Sequence, residues 1–251
     1  MIDFISINNL TKSYQTESGE VTAIEDISFN VKRGEFITMA GPSGCGKSTL
    51  LHIIANLLEP SQGTVNIKHD RSEKNQLSEL GLVFQKSILF PWCSVIDNIL
   101  FPLELLGQKK GGRERAMKLI ELAGIKGFEE KLPHELSGGM QQRASICRAL
   151  IANPSLLLMD EPFSAVDALT RLKLTTDLQR IWEEEKITII FVTHNIEEAV
   201  TLGDRVLVLT ARPGRLVWEE KIDLPRPRGR KTAAIKEFQD HCGTIYEKLG
   251  F

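Results

Sequence analysis

The segment Gly41-Pro42-Ser43-Gly44-Cys45-Gly46-Lys47-Ser48 constrains the fold more than any other. It fills every fixed position of the spacing glycine, four residues, Gly-Lys-Ser/Thr. It follows the strand-like run Glu35 to Ala40 and precedes Thr49 to Ala55, whose apolar density reads as a buried helix. Strand, glycine-rich loop and helix in that order make a cradle for a polyphosphate. The glycines let the backbone turn tightly with its N–H groups aimed inward, and the helix N-terminus adds partial positive charge. On this pattern Gly41, Ser43, Gly44, Cys45, Gly46, Lys47, Ser48 and Thr49 line the cradle, with Lys47 on the β- and γ-phosphates and Ser48 on magnesium. The loop sets an α/β fold but does not say which phosphate chemistry it serves.

Three further segments narrow the chemistry. Ser155-Leu156-Leu157-Leu158-Met159-Asp160-Glu161-Pro162 is an apolar strand ending in two carboxylates. A strand buried on both faces has no use for an acid at its end unless that end opens onto a site. Asp160 is then placed to hold magnesium, as in the general phosphoryl-transfer template. In Leu136-Ser137-Gly138-Gly139-Met140-Gln141-Gln142-Arg143, the residues Ser137, Gly138 and Gly139 open a helix that runs through Ile146 and Leu150. Its exposed N–H groups and dipole make a second anion site. A third strand, Ile187 to Thr193, ends at His194 and leads into the helix-like run Asn195 to Val200. Taken alone, His194 is an ordinary hydrogen-bonded strand-end residue.

In this order the segments resemble the nucleotide-binding subunit of an ATP-binding cassette (ABC) transporter. The resemblance implies an α/β fold with a RecA-like P-loop NTPase core, an antiparallel β layer and a helical subdomain. It implies ATP as substrate with Mg2+, and Glu161 as the general base facing the attacking water. His194 would contact the γ-phosphate and support that water. Gln85, in Leu82-Val83-Phe84-Gln85, would reach magnesium and the water and link the core to the helical subdomain, and Tyr14 would stack on adenine. One chain has no need of two γ-phosphate sites for one nucleotide. The family resolves this with a head-to-tail dimer, the Ser137-Gly138-Gly139 signature of one copy covering the ATP on the P-loop of the other. Ser164-Ala165-Val166-Asp167 resembles the loop crossing between the two sites, and Asp167 is counted with the nucleotide-binding residues. Met140 stands where glutamine is frequent and Val166 where leucine is usual; the phosphate-contacting Ser and Gly positions are intact.

Composition supplies the remaining bounds. A chain of 251 residues with 42% hydrophobic content buries a large core, read here as a cassette over residues 1–225, a helical subdomain at about 88–153 and a C-terminal extension at 226–251. Residues up to about Asp70 read as short strands with turns at Ser18-Gly19, Arg33-Gly34 and Gln62-Gly63. Arg113 to Ala123 is amphipathic, with Ala116, Leu119, Ile120 and Ala123 at helical spacing, and Ile235 to Phe251 reads as a helix packed on the core. A net charge of −2 gives no global field for nucleic acid, and the run Arg226, Arg228, Arg230, Lys231 reads as a solvated tail. No apolar run approaches the roughly 18 residues that span a bilayer. Met1-Ile2-Asp3-Phe4 lacks the basic start of a secretory signal. The four cysteines, Cys45, Cys93, Cys147 and Cys242, have no metal-type spacing and read as free thiols, Cys45 filling a small variable position of the P-loop.

A chain of this kind reaches a membrane only through partners. The resemblance implies integral-membrane permease subunits, a second copy of the chain, and indirectly an extracytoplasmic solute-binding protein, with the subunit peripheral at the cytoplasmic face of the inner membrane. Ile88-Leu89-Phe90-Pro91-Trp92 is open to two readings, anchors for a permease helix or packing of the helical subdomain. Thr210-Ala211-Arg212-Pro213-Gly214-Arg215, followed by Leu224-Pro225-Arg226-Pro227-Arg228, resembles importers of nitrate, alkanesulfonates, taurine and related small solutes. Two other functions are weighed. A soluble cassette acting on ribosomes or DNA calls for tandem cassettes or a long coiled coil, and the interval from Gln85 to Ser137 is too short for one. A P-loop small-molecule kinase is opposed by the signature and by Glu161.

Overall fold

The structure, a computed structural model, describes residues 3–17, 19–68, 79–108 and 110–250. Met1, Ile2, Ser18 of the expected first turn, Asp70 and Phe251 lie outside the described residues. In chain order the elements are strands β1 (Ile5–Thr16), β2 (Gly19–Val31) and β3 (Phe36–Ala40), helix α1 (Lys47–Ile54), strands β4 (Gln62–Ile67) and β5 (Leu80–Val83), and helices α2 (Val95–Leu105), α3 (Gly112–Leu122) and α4 (Gly138–Leu150). There follow strand β6 (Leu156–Asp160), helix α5 (Ala168–Glu185), strand β7 (Thr188–Thr193), helix α6 (Ile196–Leu202), strands β8 (Arg205–Leu209) and β9 (Leu216–Lys221), and helices α7 (Arg230–Ala233) and α8 (Lys236–Leu249). They form two compact units, one of residues 1–70 and 188–251, the other of residues 71–187.

The first unit holds the expected antiparallel layer, with β1 lying between β2 and β4. Its strands are long rather than short, since β1 and β2 run for 12 and 13 residues through several register shifts. Gln62-Gly63 is not a turn but the start of β4. Gly63 has φ +85°, and a Cβ there would lie 2.4 Å from the Asn9 carbonyl oxygen. The left-handed backbone that makes glycine a turn signal serves here to let two strands close on each other where the β1–β4 register shifts.

The same unit carries a parallel sheet in which β3 lies between β7 and β8, with β9 antiparallel beyond β8. Every residue of β3 and β7 is buried, as in a parallel strand covered on both faces, with Thr38, Thr188 and Thr193 the polar members of otherwise apolar runs. Val206 and Val208 of β8 meet Ile196, Ala199 and Val200 of α6 and Phe238, Cys242 and Ile245 of α8 in one cluster. The closing helix therefore packs on the core, as its i, i+4, i+7 apolar spacing requires.

The basic run before α8 departs from the sequence reading at Arg226 and Arg228, while Arg230 and Lys231 are exposed as expected. Arg228 is only 3% exposed, and its guanidinium donates to the carbonyls of Leu224, Val200, Gly203 and Ile222 at 2.5–3.1 Å. Arg226 donates to the Leu202 carbonyl and to Asp204 at 2.5 and 2.8 Å. Both cations therefore serve the carbonyl end of α6, where the helix dipole is negative, rather than solvent. Burial, aided by the neighbouring Arg226, lowers the Arg228 pKa to about 10, which leaves it charged at neutral pH.

In the second unit β5 and β6 run parallel, Val83 opposite Met159. The helices α2, α3 and α4 pack on one another through Ile96, Ile99 and Leu103, through Ala116, Leu119 and Ile120, and through Ala144, Cys147 and Leu150. Arg143, buried on α4, donates to the Ala123 carbonyl and pairs with Asp177 of α5 at 2.5 Å.

Candidate nucleotide site

The cradle forms because β3 runs straight into a loop where side chains do not fit. A Cβ on Gly41 would lie 2.6 Å from the Leu209 carbonyl oxygen, and one on Gly46, at φ +91°, 2.3 Å from Ile24 Cγ2. Helix α1 starts at Lys47 with Gly46 as its N-cap, so no side chain satisfies its first amides and no acid lies in its first turn. A helix start capped by glycine, with no acid in its first turn, favours an anionic ligand. Lys47 is 4% exposed, with Nζ donating to the carbonyls of Gly41 and Pro42 at 2.8 and 2.9 Å. Its charge is thus held inside the cradle at a position suited to phosphate. Ser43, Gly44 and Ser48 are exposed along the loop, and Thr49 is half-buried. Cys45 is fully buried, and burial raises its thiol pKa against the opposing charge of Lys47. It fills space in the loop and is not a reactive thiolate. Burial likewise pushes Cys147 and Cys242 up to about 12.

Two more of the sequence candidates lie in this unit. Ala40 pairs with Thr193, so Gly41 and His194 leave neighbouring strand ends at the same level. His194 is exposed, and the residues beside it are pinned. The Asn195 amide donates to Thr193 Oγ1 at 3.0 Å, the Thr193 hydroxyl donates to the Glu198 carboxylate, and Asn195 Oδ1 accepts from the Glu198 amide at 2.9 Å. Tyr14 is 39% exposed on β1 opposite Val21, with Lys12 Nζ 5.3 Å from its ring centre.

The second unit brings the remaining candidates together. Because Val83 pairs with Met159, Phe84-Gln85 and Asp160-Glu161 emerge from adjacent strand ends. Gln85 Nε2 donates to Ser164 Oγ at 3.3 Å. Asp160 is 8% exposed, and Glu161 takes φ +41°, a left-handed conformation that costs a residue with a Cβ roughly 1–2 kcal/mol. Such strain persists only where the surroundings enforce it, and it concentrates at functional positions. Ser137 caps α4, its hydroxyl accepting from the Met140 amide at 3.3 Å, and a Cβ on Gly138 would meet open space. Gln142 donates to the Phe84 carbonyl at 3.3 Å and Gln141 Oε1 accepts from Ser87 Oγ at 3.0 Å, so the signature helix grips both flanks of Gln85. Asp167 is occupied locally. Its carboxylate caps α5 by accepting from the Leu169 and Thr170 amides at 3.1 Å, and hydrogen bonds from Thr170 hold its pKa below the usual carboxylate value.

The structure separates the two aromatics of the Ile88–Trp92 run. Trp92 is 76% exposed, whereas Phe90 is half-buried edge-on against Phe101 at 4.7 Å. Sequence reading passed over Asn98, which holds this loop in shape. It is fully buried, accepts from the Phe90 amide at 2.7 Å, and donates to the carbonyls of Phe90, Cys93 and Ser94 at 3.0–3.1 Å. A lone amide on the apolar face of Val95 to Leu100 was the available signal, since a buried polar group must find partners.

Residues 24–164 match the family model described as ABC transporter. The chain is 41% identical to the aliphatic sulfonates import ATP-binding protein SsuB of Bacillus cereus, across 94% of this chain and 92% of that one. It is 48% identical to an uncharacterized ABC transporter ATP-binding protein of Methanocaldococcus jannaschii, across 94% and 88%. Among solved structures it is similar to a dimeric, post-hydrolysis ATP-binding cassette bound to ADP and phosphate, with a TM-score of 0.75 at 33% identity over 88% of this chain and 100% of that one. With a glycine cradle, an acid-ended strand and a capped signature helix in the order that family model spans, the chain belongs to the ABC transporter family as one of its ATPase cassettes.

Proposed function

We propose that the chain energises import of a small anionic solute, of the sulfonate type, through a separate membrane permease. The observation that carries the solute class is the 41% identity, over nearly all of both chains, to a sulfonate import subunit. Nitrate and taurine belong to the same group of small solutes, which an extracytoplasmic binding protein would deliver. No helix among the described residues is long and apolar enough to cross a membrane, so attachment is through the permease at the cytoplasmic face of the inner membrane. Residues 1–225 act as the cassette, with the helical subdomain at about 88–153 and the extension at 226–251 packed on it.

In this reading Tyr14 stacks on adenine, and the amides of Gly41 to Thr49 with Lys47 hold the phosphates. Ser48, Gln85 and Asp160 offer hydroxyl, amide and carboxylate oxygens, the hard donor set that suits Mg2+. Magnesium, when bound, neutralises charge on the phosphate oxygens. Glu161 takes a proton from the attacking water while His194 orients it. Ser137, Gly138 and Gly139 of a second copy cover the γ-phosphate, and Asp167 steadies the crossing loop by capping α5. Two measurements test this. Proteoliposomes holding the permease and this chain should take up labelled ethanesulfonate or taurine with ATP inside, and uptake no greater than with Glu161→Gln would refute the importer reading. Glu161→Gln protein should elute as a dimer with ATP and magnesium, and adding Ser137→Arg should return it to monomer without loss of ATP binding; a dimer that survives Ser137→Arg would refute the shared site.

A further inference from the structure

The segment Thr210 to Arg215, between β8 and β9, lies against the phosphate loop on its carbonyl side. Gly214 donates to the Ala23 carbonyl and accepts from the Glu25 amide, both at 2.9 Å, a parallel bridge centred on Ile24. Arg215 fastens the same strand through Glu25 at 2.7 Å. The segment is closed on itself by Thr210, which donates to the Arg215 carbonyl at 3.0 Å and accepts from its amide at 3.1 Å. A Cβ on Gly214 would lie 1.9 Å from the Cys45 carbonyl oxygen, so its backbone is pressed directly on the loop. Arg212 donates from Nε to the Gly44 carbonyl at 3.4 Å, with a terminal nitrogen 3.2 Å from where a Gly44 Cβ would stand.

These contacts engage carbonyls of the loop, not its amides. They fall on Gly44 and on Cys45, which lies between the two loop glycines with positive φ, Gly44 at +75° and Gly46 at +91°, where the backbone has most freedom to lose its shape. On the other side of the bridge, Ile24 and Ala23 bear on Gly46, and the β2 strand that carries them pairs with Tyr14. We infer that Thr210 to Arg215 is a strap that holds the phosphate loop in its ligand-ready shape against β2, with Arg212 and Gly214 as positioning residues for ATP. The inference rests on the reading that Gly41 to Ser48 holds the ATP phosphates.

The test uses the full chain and measures equilibrium binding of labelled ATP, the KM and kcat for ATP, and thermal melting. To clear the Cys45 oxygen, alanine at 214 must displace the loop by about 1 Å, and losing a hydrogen bond to a charged phosphate weakens binding roughly tenfold to a hundredfold, so Gly214→Ala should weaken ATP binding by that factor in the folded protein. Arg212→Ala should raise KM about threefold to tenfold, the loss of one hydrogen bond, with kcat at saturation unchanged. Arg212→Lys should recover part of that loss. Arg212 is exposed, so its variants test the strap even where Gly214→Ala fails to fold. Wild-type affinity and KM in folded Arg212→Ala overturn the strap while wild-type protein still binds ATP. A wild-type chain that binds no ATP overturns the nucleotide reading itself.

Discussion

Replacing Glu161 by glutamine and, separately, by glycine divides its chemistry from its backbone. Glutamine keeps the size of the side chain and the φ of +41° but cannot take a proton. Loss of general-base help costs about 100- to 10,000-fold, or roughly 2.7–5.5 kcal/mol of barrier. Glycine loses the same base and also the steric penalty. A left-handed residue with a Cβ costs roughly 1–2 kcal/mol, and the extra freedom of an unfolded glycine takes back roughly 0.5–1 kcal/mol. The net gain is about 0.5–1 kcal/mol, or about 1–4 °C in melting temperature for a chain of this size. Phosphate release at saturating ATP and magnesium should therefore be equally low in both variants, while calorimetry places Glu161→Gly above Glu161→Gln. A Glu161→Gln rate within a few fold of wild type would remove the base role, and a glycine variant that melts below the glutamine one would refute the strain argument.

Three more outcomes are expected. Lys47→Ala should abolish equilibrium binding of labelled ATP, because the cation inside the cradle is gone, whereas His194→Ala should bind normally and hydrolyse at least about tenfold more slowly; equal loss of affinity would make His194 structural. Arg228→Met strands the carbonyls of Leu224, Val200, Gly203 and Ile222 and should cost at least about 1–3 kcal/mol in denaturant melts, against under about 0.5 kcal/mol for a solvated tail residue. Trp92→Ser should leave melting temperature and basal ATPase intact while reducing co-purification with the permease, whereas Phe90→Ala should lower the melting temperature; a fall in stability with Trp92→Ser would place that ring in the packing instead.

What the sequence made legible was whatever a single local requirement dictates. Glycines at fixed spacing mark the cradle because their Cβ atoms would strike Leu209 and Ile24, and mostly apolar runs mark β3, β6 and β7 because every residue in them is buried. The remainder depends on partners far along the chain. Gly63 looks like a turn until Asn9 is seen against it, and Arg228 looks solvated until the end of α6 supplies its carbonyls. In the site itself, residue types are visible in sequence but dihedrals are not. The left-handed backbone of Glu161 and the pressure of Gly214 on Cys45 are properties of the folded chain.

The strand that presents the phosphate loop has no sheet partner among the described residues made before it. β3 is held between β7 and β8, and both follow the whole of the second unit. At ribosomal rates of about 5–20 residues per second, β3 and its five core residues wait on the order of ten seconds for their neighbours. During that interval the chain carries Lys47 and the glycines but has no frame to hold them as a cradle. A product interrupted near residue 187 lacks both strands that flank β3. The order of the strands thus ties the frame of the phosphate loop to residues made only after the whole of the second unit.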